Sequence, residues 1–301
     1  MSATSLHANT AAPNLPEVLP PRRARGKIAM FAYRHPSIFA GGVMVALIVA
    51  SAIFAPLLGT VDPTALAPAK RLRLPSELYW FGTDMLGRDI YSRVLYGTRV
   101  SLEVGVSVAF FASIIGMFIG LTSGFIRALD AVVMRVMDGL MSIPGILLAI
   151  ALMALTRGSV QNVIIAITVT EVPRMCRLVR GVVLSLREQP YVEAAVAAGT
   201  RVPKIIWKHI LPNTLAPITV QATFVCASAM ITEATLSFIG AGTPPTIPSW
   251  GNIMAEGRAL WQVKPFIVLF PALFLSVTVL SINLLGDGLR DALDPRMAKK
   301  I

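Results

Sequence analysis

The chain has 301 residues, of which 55% are hydrophobic and 14% charged, and its mean hydropathy is +0.69. Soluble domains carry roughly 25% charged residues, so this composition excludes an ordinary water-soluble protein and points to one dissolved mostly in lipid. The net charge of +11 would suit a nucleic-acid binder, but the basic residues fall between apolar runs, where they orient a protein in a bilayer.

Residues 1–36 are a polar lead-in, with Pro13, Pro16, Pro20 and Pro21 among them, and residues 1–27 read as a disordered tail. A bilayer core takes roughly 20 apolar residues as helix. Six runs meet or approach that length, at 37–58, 102–126, 139–156, 160–172, 214–239 and 265–285, which makes the fold class an all-α polytopic membrane protein. The first run is too long for the core of a cleavable signal and follows too long a lead-in. The fourth is the shortest, and Glu171 and Arg174 interrupt its end. Arg174, Arg177 and Arg180 recur every three residues, as on a helix leaving the membrane with its cations in water.

Lysine and arginine set the direction. With the N-terminus in the cytosol, the inside segments hold five, two, seven and four of them. Nine remain outside, six in the loop 59–99. Both termini are therefore expected to be cytoplasmic, with that basic outer loop as an exception to the rule. Within it, residues 81–89 read FGTDMLGRD and approach the phosphate-binding P-loop pattern. Arg88 stands where the lysine belongs, and Asp89 stands for the metal-binding hydroxyl, where a carboxylate would repel phosphate. No other stretch offers a nucleotide site, so any ATP use has to come from a partner.

Gly116, Gly120 and Gly124 repeat at four-residue spacing, a small-residue face expected to pack on another helix of the same chain. Pro144 and Pro173 are candidate kinks. Cys176 and Cys226 lack metal-ligand spacing and are expected to be packing residues. Burying a charge in lipid is expensive, so Glu103, Glu171 and Glu233 should face protein or water. Glu103 and Glu171 sit near span ends and need no special role. Glu233 lies deep in the fifth span and has two readings: it lines a translocation path, or it hydrogen-bonds a neighbouring helix. Trp80, Trp250 and Trp261 are candidate interfacial anchors.

Between the fourth and fifth spans, residues 191–213 read YVEAAVAAGTRVPKIIWKHILPN. Ala194, Ala195, Ala197 and Ala198 favour helix, with Glu193 near its N-terminus, and Gly199 makes a natural turn. A second short helix is expected to start at Arg201 to Pro203 and to end at Pro212. Its Ile205, Ile206, Trp207 and Ile210 offer apolar surface beside Lys204, Lys208 and His209. Two short helices around a turn make a knob suited to a groove in a soluble partner.

At these residues the chain resembles the permease subunits of ATP-binding-cassette (ABC) importers, whose EAA pattern fits Glu193-Ala194-Ala195, then Gly199, then Leu211-Pro212. His209 departs from the broad pattern, but an ending like His209-Ile210-Leu211-Pro212-Asn213 is familiar in the peptide branch. Phe81-Gly82-Thr83-Asp84, Leu86-Gly87-Arg88-Asp89, Pro248-Ser249-Trp250-Gly251 and the stretch 283–296 resemble the dipeptide, oligopeptide and nickel permeases with a long first outer loop. Glu171-Val172 stand where that family often has a tryptophan.

The resemblance implies a type I importer (MetI-like) fold of six transmembrane helices. It places a cytosolic tail at 1–36, the first span at 37–58, a periplasmic loop at 59–99, a permease core at 100–289 with its coupling loop at 188–213, and a tail at 290–301. It implies import of di- or oligopeptides across the bacterial inner membrane, with nickel, glutathione or another small solute as alternatives. The implied partners are a second homologous permease, two cytosolic ATPases that hold ATP and Mg, a periplasmic or lipid-anchored binding protein, and membrane lipid; nucleic acid is not among them. The chain itself would be non-catalytic and hold no cofactor or metal. Coupling would fall to Glu193, Ala194, Ala195, Gly199, Ile206, Trp207, Leu211 and Pro212. Asp84, Arg88 and Asp89 would contact the binding protein, form a gate, or make local salt bridges. A gradient-driven carrier would more naturally show deep charge relays or inverted repeats. An intramembrane enzyme would need clustered catalytic groups, and His7, His35 and His209 all lie outside the apolar runs.

Overall fold

A computed structural model of the protein describes Tyr33 and residues 35–293. The expected tail at 1–27 and the end of the resembling stretch at 294–296 lie outside the described residues. Among those described, the named elements are all helical: α1 Pro36–Ile53, α2 Ile90–Phe125, α3 Arg127–Ser142, α4 Gly145–Ala154, α5 Val160–Arg187, α6 Pro190–Ala197, α7 Val202–Phe238, α8 Trp250–Gly257 and α9 Phe266–Leu293. Short side chains start several of them. Asp89, Ser159 and Ser249 accept hydrogen bonds from the backbone N–H of Ser92, Asn162 and Asn252 at 2.8, 3.1 and 3.2 Å, each satisfying a donor that the first turn leaves open.

Four helices, α1, α2, α7 and α9, are long and apolar enough to cross a membrane. The third expected span, 139–156, is broken rather than straight. α3 and α4 meet at an 87° bend, where Ile143 is extended (ψ 129°) ahead of Pro144, as the proline ring requires of its predecessor. Counted together, the bent pair is a fifth crossing. At the remaining expected span lies α5, which has 28 residues, is not among the helices apolar enough to cross, and runs well past the expected end at Val172. Its charges find partners inside the chain: Glu171 with Arg174 at 3.2 Å, Arg177 with Asp138 at 2.6 Å, and Arg180 with Asp130 at 2.7 Å. The last two pairs tie α5 to α3.

α2 starts at Ile90, so its first three turns occupy the end of the stretch expected to be outer loop, and the division at residue 99 falls inside a helix. Pro212 does not end the helix after Gly199. A π turn at Ile206–Ile210 precedes it, and the helix continues to Phe238. Pro212 lacks an N–H, and the wider turn lets the Leu211 N–H reach the Ile206 carbonyl instead of holding strict α spacing.

The broadest helix pairing is α2 on α5, and the glycines explain it. A methyl placed on Gly116, Gly120 or Gly124 would come within 2.6, 2.7 and 2.8 Å of the Cβ atoms of Met175, Val179 and Val183. The small-residue face thus packs within the chain, and Cys176, opposite Gly116 and Gly120, is buried there. α1 lies on α9, and α7 lies between α2 and α9. Cys226 is buried on α7. Trp250 is fully buried and its Nε1–H donates to the Val94 carbonyl at 3.1 Å, so it anchors α8 to α2 rather than sitting at the interface. Trp80 and Trp261 are exposed.

Candidate functional site

The knob at 191–213 is built from three buried anchors. Val192, Ile205 and Ile210 are at most 1% exposed, and the rings of Tyr191 and His209, 6.2 Å apart, bring α6 alongside α7. Gly199 ends α6 at a φ of +72°. Around it the Gly199 N–H donates to the Val196 carbonyl at 2.9 Å and the Thr200 N–H to the Ala195 carbonyl at 3.1 Å. This paired closure satisfies the last carbonyls of the helix and needs a left-handed residue. Glu193 lies exposed in the first turn of α6, Ala194 is exposed, and Ala195 packs against the core. Leu211 is half-buried and Pro212 exposed.

Trp207 is 70% exposed, whereas Ile206 turns inward onto the core. Of Ile205, Ile206, Trp207 and Ile210, expected to offer one apolar surface, only Trp207 faces outward. Val196 on α6 and Val202 on Trp207's own helix are exposed, as are Lys204 and Lys208. Sequence reasoning passed over both valines, since nothing local separates them from Val192, which the same fold buries.

The outer loop closes on a buried ion cluster. Asp84 is completely buried. Its Oδ1 accepts from the backbone N–H groups of Leu86 and Arg88 at 2.8 and 2.9 Å, and its Oδ2 from Arg88 Nε and Arg93 Nη1 at 2.7 and 2.6 Å. Both guanidiniums also reach Glu256 on α8, Arg93 through Nη2 at 3.0 Å. Two cations thus meet two anions, so two of the six basic residues at 59–99 are neutralised within the chain. Asp89 caps α2 as described, and Ser92 in turn accepts from the Val61 N–H at 2.9 Å. Neither Glu256 nor the pairing of Arg93 was read from sequence, because Glu256 lies 168 positions from Arg88.

Glu103 is exposed. Glu233 is fully buried and accepts from Ser237 Oγ at 2.8 Å and Ser101 Oγ at 3.5 Å. Ser237 continues through Thr243 to Ser249 and Asn252, a run of hydroxyl and amide groups linking α7 to α8. Glu171 stands at the wall of a cavity of about 300 Å³ beside the α3–α4 bend.

Residues 112–299 match the family described as binding-protein-dependent transport system inner membrane component. The chain is 50% identical over 280 residues, 93% of its length and 96% of the relative's, to the probable peptide ABC transporter permease protein y4tQ of Sinorhizobium fredii. It is 44% identical over 258 residues, 85% of each chain, to the dipeptide transport system permease protein DppC of Alkalihalophilus pseudofirmus. Among solved structures, a chain of the MetNI methionine ABC transporter, captured in inward facing conformations, superposes with a TM-score of 0.55 at 22% identity, covering 68% of this chain and 98% of that one. At that identity the likeness establishes a shared fold. The helical order, the broken third span and the knob formed by α6 and the start of α7 sit in a chain that belongs to the binding-protein-dependent transport system inner membrane components.

Proposed function

We propose that this chain is a permease subunit of an ABC importer for short peptides, and that it supplies half of a translocation path together with a second permease. The peptide reading is supported by the named substrates of its relatives y4tQ and DppC. ATP and Mg reside on two cytosolic ATPase partners, and a periplasmic or lipid-anchored binding protein delivers the solute. Both termini are cytoplasmic, as the lysine and arginine count supports.

The single observation that carries the coupling role is the exposure of Trp207, 70%, on a knob whose Val192, Ile205 and Ile210 are buried. A large indole held in solvent by a rigid base fits an anchor for a partner's groove. Glu193, Ala194, Ala195, Gly199, Leu211 and Pro212 shape the knob, and Ile206 fixes its base. Asp84, Arg88 and Asp89 hold the outer loop in shape beneath a binding-protein surface, and Glu233 braces the outer end of α7. Coupling requires an element with two arrangements that both the ATPases and the outer loop bias.

Copurification from the native host tests this reading. A tagged chain should bring down a second permease and two ATPases in gentle detergent. Trp207→Ala should weaken ATPase binding by about 30-fold, the effect of losing one interface hot spot. Gly199→Val, strained at positive φ, should distort the same surface. Retention of the ATPases at unchanged affinity in the Trp207→Ala variant would refute the docking role. A chain that purifies alone and carries solute without ATP would overturn the importer reading.

A further inference from the structure

The bend in the third crossing opens the cavity of about 300 Å³ noted above. One wall is residues 143–146; the other carries Glu171 and Arg174 of α5 and Ser228 and Thr232 of α7. Glu171 lies eleven residues along α5, about 16 Å from its start, and faces the bend within the broken third span. A span broken there leaves the last carbonyls of α3 and the first N–H groups of α4 without partners in their own helices. Such backbone is tolerated at depth only where it is enclosed by protein or lines a polar cavity.

The charges make this cavity different from a packing defect. Glu171 is only 6% exposed, yet it forms part of the wall. Its Oε1 accepts from Ser228 Oγ at 3.3 Å and its Oε2 from Arg174 Nη1 at 3.2 Å. The Arg174 side chain is 56% exposed, so packing does not lock it onto Glu171. Glu233 behaves differently, with both carboxylate oxygens bonded to hydroxyls inside the bundle. Charged groups at membrane depth mark solute paths when they face a cavity, and here that acid is Glu171.

We infer that this cavity is a transmembrane binding site for a small zwitterion, the two charged ends of a short peptide. The ammonium group meets Glu171 and the Ser228 and Thr232 hydroxyls. The carboxylate meets Arg174 and the opening turn of α4, where Gly145 and Ile146 line the cavity. An incoming ammonium replaces the guanidinium on Glu171, and the guanidinium turns to the carboxylate, so the charge within the site stays balanced throughout. A volume of about 300 Å³ is at the small end for ligand sites, which suits a dipeptide. The inference rests on the peptide reading above.

The test uses the complete complex, with partner subunits and binding protein, in lipid vesicles and radiolabelled dialanine as the probe. Glu171→Gln should lower dialanine uptake by about 10- to 100-fold, the scale of one hydrogen bond to a charged group. Because that variant also loses its bond to Arg174, Thr232→Cys supplies an independent readout. A cationic thiol reagent should label it over the buried Cys176 and Cys226, and dialanine present during turnover should slow the labelling several-fold. Labelling that dialanine leaves unchanged, or no labelling at all, in a complex that still imports dialanine overturns the cavity site and leaves the peptide reading standing. An unsubstituted complex that imports no peptide brings down both.

Discussion

Asp84→Ala is expected to lower the stability of the permease by about 3–5 kcal/mol, the penalty for removing one partner from a buried ion cluster. Asp84 accepts four hydrogen bonds, two from the backbone of its own turn and two from guanidiniums. Without it, Arg93, whose side chain is 1% exposed, and Arg88, at 8%, share Glu256 alone. The turn at Gly87 loses its two side-chain bonds at the same time, while the Arg93–Glu256 pair between α2 and α8 is left without its second anion. Denaturant titration in detergent micelles measures the effect. Asp84→Leu combined with Arg88→Met should be less destabilising than the two single changes added together, because the pair is removed jointly. A loss below about 0.5 kcal/mol for Asp84→Ala would mean that the cluster is solvated and contributes no more than surface charges do.

Gly120→Leu should have a comparable effect, about 3 kcal/mol or more, at the upper end for inserting volume into a packed contact. A Cβ there meets Val179 Cβ at 2.7 Å and the Cys176 carbonyl oxygen at 2.8 Å. The second contact is backbone and cannot turn aside. In lipid, helices associate through close packing and interhelical bonds rather than through expulsion of water. Forcing α2 from α5 at Gly120 therefore also opens the contacts at Gly116 and Gly124. Val179→Ala in the same chain should recover part of the loss. Gly139→Ala is the matched control: nothing lies within 4 Å of its added methyl, so it should gain about 0.5–1 kcal/mol of helix stability. A Gly120→Leu chain with an unchanged denaturant midpoint would show that the two helices do not rely on contact at this point.

Local pattern made some of this architecture legible and hid the rest. The apolar runs reveal α1, α2, α7 and α9, because hydropathy is a property of consecutive residues. Gly199 reveals its turn, since a positive φ restricts the residue type. The four-residue glycine spacing reveals a packing face. The start of α2 was hidden because Tyr91-Ser92-Arg93 reads as loop until Asp84 and Glu256 are seen to neutralise the arginine. The spacing of Arg174, Arg177 and Arg180 showed a helix continuing past Val172 but put its cations in water; Asp130 and Asp138, which receive two of them, lie on another helix. Which acid lines a cavity was not legible: Glu171 does, while Glu233 bonds Ser101 and Ser237 inside the bundle, as one of its two readings had it. Depth in the sequence measures distance from a span end, whereas exposure to a cavity depends on a bend in a different helix. Pro144 signalled that bend without its angle.

The π turn at Ile206–Ile210 also sets the angular phase of everything beyond it. One residue more than an α turn rotates the following helix by about 100° relative to an uninterrupted one. In that phase Glu233 and Ser237 point at Ser101 and Thr243, and Ser228 points at Glu171. A chain shortened by a single residue within the turn would keep its composition, its hydropathy and its EAA spacing as far as Gly199. It would nevertheless carry each polar group of α7 about a quarter-turn out of alignment. The knob and the membrane helix are in this sense geared together, and the π turn sets the offset between them.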